Sequence, residues 1–119
     1  MNEADFLAVI SVVDALRVKV RGKCRSDDGP LPWADWISQP SKSYIEFQGC
    51  GPIEKSEIEW IDINAVEERR LGQRLPMKKI DHGEEIARMF AERSVRYIKS
   101  IDGLFRVGGL SGVRGACKE

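Results

Sequence analysis

The chain of 119 residues has the size of one domain, and its 42% hydrophobic and 32% charged residues supply a buried centre and a solvated surface. This composition excludes a disordered or fibrous chain. Nineteen basic and nineteen acidic side chains cancel, so no net charge attracts nucleic acid or anionic lipid to the molecule as a whole.

The cysteines and the N-terminus indicate the cellular compartment in which the protein is expected to act. Cys24, Cys50 and Cys117 are odd in number and widely spaced, which fits neither a disulfide framework nor a paired metal site. The N-terminus has acidic residues in place of the basic start of a secretory signal. No apolar stretch approaches the roughly 20 residues that cross a bilayer. These features predict a reducing, cytoplasmic environment.

The first elements follow from two periodicities. Apolar side chains recur every three or four residues from Phe6 to Leu16, which predicts a helix over 3–15 with Asn2 as its cap. The period then changes to two, which predicts a strand over 17–25 with a basic outer face. The bases of that face are Arg17, Lys19, Arg21, Lys23 and Arg25.

The middle of the chain predicts a long loop followed by two strands. Residues 26–43 are rich in turn-forming residues and carry Trp33 and Trp36, so they form a connection that either covers the core or offers a contact surface. Residues 44–48 alternate as a strand. Residues 57–63 switch phase after Trp60, which indicates a bulge or a strand covered on both faces.

The second half predicts a helix and a closing hairpin. Gly72 and Pro76 prevent a long helix, so residues 65–80 are expected to form a mobile charged connection. Asp81 caps a helix that extends to about residue 94. The dipeptide at 102–103 is typical of a two-residue turn between strands over 95–101 and 104–107. The glycines of 110–119 predict a flexible tail.

Together these elements predict a single α+β domain over residues 1–109. An antiparallel sheet of about five strands with both helices packed on one face buries the apolar stripes most economically.

Few residues offer catalytic chemistry. His82 is the only histidine, and a position at the start of a helix is more typical of a surface residue than of a general base. Cys50 lies in a turn but has no basic partner to make it a nucleophile. Glu57 and Glu59 share a spacing that a glycosidase could use, although acidic side chains are common on exposed strand faces. The sequence therefore predicts no catalytic, metal-binding or cofactor-binding residue.

The charge distribution is more informative than any single residue. Residues 44–68 contain seven acids and one base, whereas residues 69–118 contain twelve bases and five acids. One interpretation is that the basic strand 17–25 neutralises the acidic strands in cross-strand pairs. The other is that the acids, with tryptophan beside them, bind a basic protein. The partner-binding residues predicted on that basis are Glu46, Glu57, Glu59, Asp62, Trp33, Trp36 and Trp60. A nucleic-acid surface is less favoured, because aromatic residues do not interleave with the basic stripe.

Several segments resemble a known group of proteins. They are 44–47, 51–53, 57–63, and the capped helix followed by the hairpin around 102–107. Over about residues 44–109 the chain is similar to small uncharacterised bacterial proteins, some of which resemble the immunity proteins of polymorphic or contact-dependent toxin systems. The resemblance implies a single α+β domain that acts by holding a toxin domain. The matching segments are strand cores, so no functional residue is carried over.

The sequence thus favours a non-enzymatic bacterial binding protein that neutralises a toxin by covering its active surface. The alternatives are a small regulatory or nucleic-acid-binding domain, or an enzyme whose site the sequence does not reveal.

Overall fold

The computed structural model describes residues 1–70 and 72–109. These residues form two α-helices and nine β-strands in three sheets, which confirms the α+β class but exceeds the five strands expected. The elements in chain order are α1 (Glu3–Leu16), β1 (Lys19–Cys24), β2 (Ile37–Ser41), β3 (Tyr44–Phe47), β4 (Gly51–Glu54), a 3-10 helix (Lys55–Glu57), β5 (Ile58–Asn64), β6 (Val66–Arg70), β7 (Met77–Asp81), α2 (Gly83–Glu92), β8 (Ile98–Lys99) and β9 (Leu104–Gly108). The flexible tail predicted over 110–119 lies outside the described residues.

The largest sheet is antiparallel, in the order β1-β5-β9-β8. Val20, Ile63 and Phe105 lie opposite one another on three of its strands and are fully buried. Side chains of α1 and α2 belong to the same apolar core, represented by Val9 and Phe90. This inner face of the sheet is therefore the side covered by the rest of the protein, and the opposite face carries the charged residues of β1.

The second sheet, in the order β2-β3-β4, packs onto the first at a glycine. A Cβ atom at Gly22 of β1 would lie 2.6 Å from the ring of Phe47, which is fully buried on β3. Only a residue without a side chain leaves room for this ring. The loop predicted over 26–43 also contains a strand that the sequence did not predict, β2. Its mainly polar residues pair with β3 through backbone hydrogen bonds.

The third sheet corrects the mobile connection expected over 65–80. β6 and β7 pair in continuous antiparallel register from Val66 opposite Asp81 to Arg70 opposite Met77. Gly72 and Pro76 interrupt helix formation, as expected, but they lie in the turn region of a two-stranded ribbon. Most side chains of the ribbon are exposed, so it lacks the one-sided apolar alternation that identifies a strand from sequence.

The helix starts show one confirmed cap and one correction. Asn2 and Asp5 form a reciprocal capping box at α1, as the sequence predicts. The capping position of α2 is His82 rather than Asp81. Asp81 still supports the helix start, since its Oδ1 accepts a hydrogen bond of 2.8 Å from the backbone N–H of Gly83.

The closing hairpin is confirmed, with one more loop residue than predicted. Ser100 donates its backbone N–H to Leu104, and Gly103 donates to Ser100, which leaves three residues in the loop. Gly103 has a φ of +85°, the left-handed conformation required at the end of such a loop. Among the described residues, no helix has the length and apolar character needed to span a membrane.

Candidate functional site

The outward face of the three-stranded sheet carries two aromatic residues and two acids. Tyr44 and Glu46 alternate with the buried Ile45 and Phe47 along β3. Glu54 lies directly opposite Tyr44, so the two side chains share a face. Trp36 immediately precedes β2, and its carbonyl accepts a hydrogen bond of 3.2 Å from the N–H of Gln48, which extends the pairing with β3 by one residue. Alternation with the buried Ile37 therefore puts its exposed side chain on this same side. We call Trp36, Tyr44, Glu46 and Glu54 the aromatic–acidic face.

The aromatic side chains of this face remain accessible although they lie over the core. Trp36 is 41% exposed and Tyr44 is 40% exposed. On the inward side of the same strands, Ile45 and Phe47 are fully buried and hold the sheet in place. The face therefore combines accessible rings with a rigid support, as is typical of interface anchors.

The carboxylates of the aromatic–acidic face are not neutralised internally. Among the residues that the structure describes, Glu46, Glu54 and Glu57 form no ion pair. Glu57 ends the 3-10 helix between β4 and β5 and is exposed. These three acids are therefore available for contacts with another molecule.

Glu59 and Asp62 lie instead on the outer face of the four-stranded sheet, where they pair with the basic side of β1. The Nζ of Lys23 lies 2.8 Å from Glu59, and this hydrogen bond lowers the pKa of the Glu59 carboxyl. Asp62 has no exposed surface and binds Arg21 at 3.3 Å and Arg106 at 2.8 Å. The cross-strand interpretation of the charge pattern is thus confirmed for these two acids.

Trp33 and Trp60 contact the two arginines that bind Asp62. The guanidinium of Arg21 lies 4.4 Å from the ring centre of Trp33, and that of Arg106 lies 3.7 Å from the ring centre of Trp60. The hydrogen bond to Asp62 raises the pKa of Arg106. Both rings contact a guanidinium group, which carries a positive charge in proteins. Trp60 is only 8% exposed, whereas Trp33 is 38% exposed. Aromatic and basic side chains therefore do interleave here, contrary to the expectation from sequence.

The seven partner-binding residues predicted from sequence are consequently divided between two surfaces. Glu46 and Trp36 lie on the aromatic–acidic face, and Glu57 lies in the connection that leaves it. Glu59, Asp62, Trp33 and Trp60 belong to the outer side of the four-stranded sheet. Sequence reasoning missed Tyr44 and Glu54 as members of the first surface, although their alternation with buried neighbours was a usable signal.

The contacts of His82 and the burial of Cys24 are those of structural residues. The Nε2 atom of His82 lies 2.9 Å from Glu67 Oε1, and this hydrogen bond lowers the pKa of the Glu67 carboxyl. Cys24 and Cys50 are free thiols, and burial raises the pKa of Cys24. Cys117 lies outside the described residues. Within the described part of the chain, no three potential ligands are grouped so as to hold a metal ion.

A groove of about 750 Å³ lies between the β6–β7 ribbon and the body of the protein. Trp33 and Lys19 line one wall, while Met77 and Lys79 line the other. Its volume falls in the usual range of ligand pockets, about 300–1,000 Å³. Since both acids, such as Asp35 and Glu68, and bases, such as Lys19 and Lys79, line it, the groove does not define one class of ligand.

A protein-family model described as a family of unknown function, DUF6678, matches residues 6–111. The chain belongs to this family. The match includes both helices except the first turn of α1, and all nine strands, so the two surfaces described above are part of the family domain. No curated protein and no solved structure matches the chain.

Proposed function

We propose that this protein is a non-catalytic binding protein that uses its aromatic–acidic face to hold a basic protein partner. The observation that carries the proposal is the combination of two exposed rings, Trp36 and Tyr44, with the unpaired carboxylates of Glu46 and Glu54 on one supported face.

Each component of this face has a defined role in the proposal. Aromatic rings contribute a large contact area and lose few rotatable bonds on binding, so Trp36 and Tyr44 act as the anchors. Carboxylates at the rim speed encounter with a basic partner and reject an acidic one. Pro52, opposite Glu46 on the edge strand β4, has no N–H and prevents continuous strand addition there, which favours side-chain contacts over sheet extension.

The partner class comes from the resemblance to immunity proteins. In the proposed function the partner is a bacterial toxin domain, and the face neutralises it by covering its active or substrate-binding surface. The proposal includes the reducing environment of the cytoplasm, where all three cysteines stay reduced. Mass spectrometry of unreduced native protein should therefore show free thiols and no intramolecular disulfide.

The test uses the product of the adjacent reading frame as the partner. Cells expressing that protein should grow only when the present chain is expressed with it, and the two purified proteins should bind. Replacing Glu46 and Glu54 together by Lys should lower the association rate at least tenfold at low salt and abolish most of its salt dependence. Circular dichroism establishes that the variant is folded.

A matched control carries the same change in charge elsewhere. Asp28 and Asp102 are exposed and unpaired within the described residues, so Asp28→Lys with Asp102→Lys should leave binding nearly unchanged. Equal losses in both variants would remove the aromatic–acidic face from consideration. Absence of both binding and protection would overturn the toxin-partner proposal. A hundredfold loss of protection in folded His82→Ala, with binding retained, would contradict the non-catalytic part.

A further inference from the structure

A cavity of about 460 Å³ lies where the start of α1 meets the ends of β1 and β9. Two arginines from distant parts of the chain line it, Arg25 after β1 and Arg96 after α2. Its polar wall also includes Asp5, Glu59 and Ser94. The volume is within the range of about 300–1,000 Å³ that is usual for ligand pockets.

The protein backbone and core position both arginines of this cavity. The Nε of Arg25 donates a hydrogen bond of 3.0 Å to the backbone carbonyl of Ser56. Val95 and Tyr97 are both buried, whereas Arg96 between them is exposed. Among the residues that the structure describes, neither arginine forms an ion pair. The outer nitrogens of the two guanidinium groups are therefore available to a ligand.

The acids on the described wall of the cavity have partners of their own. Asp5 Oδ2 accepts a hydrogen bond of 3.0 Å from the backbone N–H of Asn2 in the capping box of α1. The Nζ of Lys23 lies 2.8 Å from Glu59, and this hydrogen bond is the main cause of the lowered pKa of the Glu59 carboxyl. Arg25 lowers the same pKa to a smaller extent, through its charge alone. Neither acid therefore occupies the hydrogen-bond donors of an arginine.

Ser94 brings a hydroxyl group to the cavity from a position that favours glycine. It follows α2 with a φ of +57°, in the left-handed region, and the N–H of Val95 donates back to the carbonyl of Phe90. Helices that end in this way usually carry glycine at the left-handed position, because a side chain is strained there. Serine at this position therefore lowers stability while it adds a hydrogen-bonding group to the cavity wall.

We propose that this cavity binds the phosphate group of a small phosphate monoester through Arg25, Arg96 and Ser94. One arginine is enough to pair both oxygens of a carboxylate, whereas a phosphate monoester has three terminal oxygens and accepts N–H groups from two arginines. The cavity is larger than a phosphate ion, which leaves room for the organic part of the compound. The residues of the aromatic–acidic face do not line this cavity, so the site is independent of the proposed function.

Isothermal titration calorimetry and thermal unfolding at constant ionic strength test the site, with inorganic phosphate and glycerol 3-phosphate as probes and acetate as the carboxylate control. The test variant combines Arg25→Gln with Arg96→Gln. The charge control combines Arg74→Gln with Arg93→Gln, which removes the same charge from exposed arginines that do not line the cavity. Circular dichroism verifies that both variants are folded.

Both phosphate compounds should bind the intact protein and raise its melting temperature, and acetate should do neither. The test variant should bind glycerol 3-phosphate about tenfold more weakly or worse, with the charge control close to the intact protein. Absence of binding of both phosphate compounds at about 10 mM, or equally tight binding of acetate, would overturn the proposal. Equal weakening in the two variants would overturn the assignment to Arg25 and Arg96.

Ser94→Gly separates binding from stability. This substitution removes the strain of the left-handed serine, so it should raise the melting temperature of the free protein and yet weaken binding of glycerol 3-phosphate. Unchanged binding in this variant would remove Ser94 from the site. Replacing Glu46 and Glu54 by Lys should not weaken phosphate binding, so this proposal and the proposed function can fail separately.

Discussion

At the scale of single residues, Asp62 is the most constrained acid in the described structure. Its carboxylate is fully buried and accepts hydrogen bonds from both Arg21 and Arg106, which themselves contact tryptophan rings. Removing its charge would leave two guanidinium groups facing each other across β5. The stability of the outer face of the four-stranded sheet thus depends on one side chain.

We therefore expect Asp62→Asn, which keeps the shape but removes the charge, to lower the free energy of unfolding by about 3 kcal/mol. Urea denaturation at neutral pH measures this change. Asp28→Asn is the matched control. Because Asp28 is exposed, this substitution should lower the free energy of unfolding by less than about 0.5 kcal/mol. If Asp62→Asn lowered the free energy of unfolding no more than Asp28→Asn does, water would be sufficient to stabilise the two arginines.

Glu67 predicts a pH-dependent contribution to stability. The hydrogen bond with His82, supplemented by Arg69, holds the pKa of Glu67 below its usual range. A carboxyl whose pKa is lowered by folding stabilises the native state above its unfolded pKa, and this stabilisation disappears as pH falls through the lower, folded pKa. The contact joins β6 to the start of α2, so it fixes the base of the ribbon.

Replacing Glu67 by Gln should lower the free energy of unfolding by about 1 kcal/mol at pH 7 and by less at pH 3. Urea titrations of both proteins at the two pH values provide the comparison. Glu68→Gln is the control at the neighbouring, exposed position. The stability that this substitution removes should differ less between the two pH values. A Glu67→Gln cost that stayed constant from pH 7 to pH 3 would mean that charge does not contribute to this contact.

At the scale of elements, the contact between Gly22 and Phe47 positions one sheet on the other. Gly22→Ala would place a methyl group 2.6 Å from the Phe47 ring, in a core where neither residue can move freely. The expected loss is about 1–3 kcal/mol in the free energy of unfolding. Gly29→Ala is the control, since an added Cβ there meets nothing within 4 Å.

A compensating change tests the cause. Phe47→Leu removes the part of the ring that would meet the new methyl group, so the double variant should be more stable than the sum of the two single losses predicts. Thermal or urea unfolding of the four proteins gives this coupling directly. If the stability losses of the two single variants simply added in the double variant, Gly22→Ala would destabilise the protein through the backbone of β1 and not through the contact between the sheets.

The success of sequence reasoning differed among elements for a physical reason. Helix α1 and strands β1, β5 and β9 each bury one face or both, so their apolar periodicity is visible in the chain. The ribbon strands β6 and β7 bury little and are held by backbone pairing, which leaves no periodic signal. β2 was hidden in the same way, because its sequence includes Pro40 and three other polar or turn-forming residues.

The candidate surfaces were predictable in composition but not in arrangement. The acids of 44–68 and the tryptophans are evident in the sequence. Which acids remain unpaired depends on strand register: β1 lies beside β5, so its bases neutralise Glu59 and Asp62 and not Glu46. Register is set by packing between distant segments, and a single sequence does not encode it in a readable pattern.

At the scale of the whole molecule, zero net charge conceals two separated surfaces of opposite sign. The aromatic–acidic face lies on the three-stranded sheet, whereas the β6–β7 ribbon, in which residues 69–79 include five bases and no acid, is a sheet of its own. The four-stranded sheet, by contrast, is internally neutralised by its cross-strand pairs. Salt should consequently weaken the proposed binding of a basic partner while leaving the folded core almost unaffected, since its apolar contacts are not screened.

The tryptophans separate stability from binding in the same molecule. Trp60 is almost fully buried beneath Arg106, so Trp60→Ala should lower the free energy of unfolding by about 3–5 kcal/mol. Trp36 is 41% exposed on the aromatic–acidic face, so Trp36→Ala should change stability little. Under the proposed function it should instead weaken binding of the adjacent gene product by about 2 kcal/mol, roughly thirtyfold. Thermal unfolding and calorimetric titration of the two variants distinguish these effects. If Trp36→Ala unfolded the protein as readily as Trp60→Ala, the exposed ring would be a structural element, and Tyr44 would be left as the only aromatic anchor of the face.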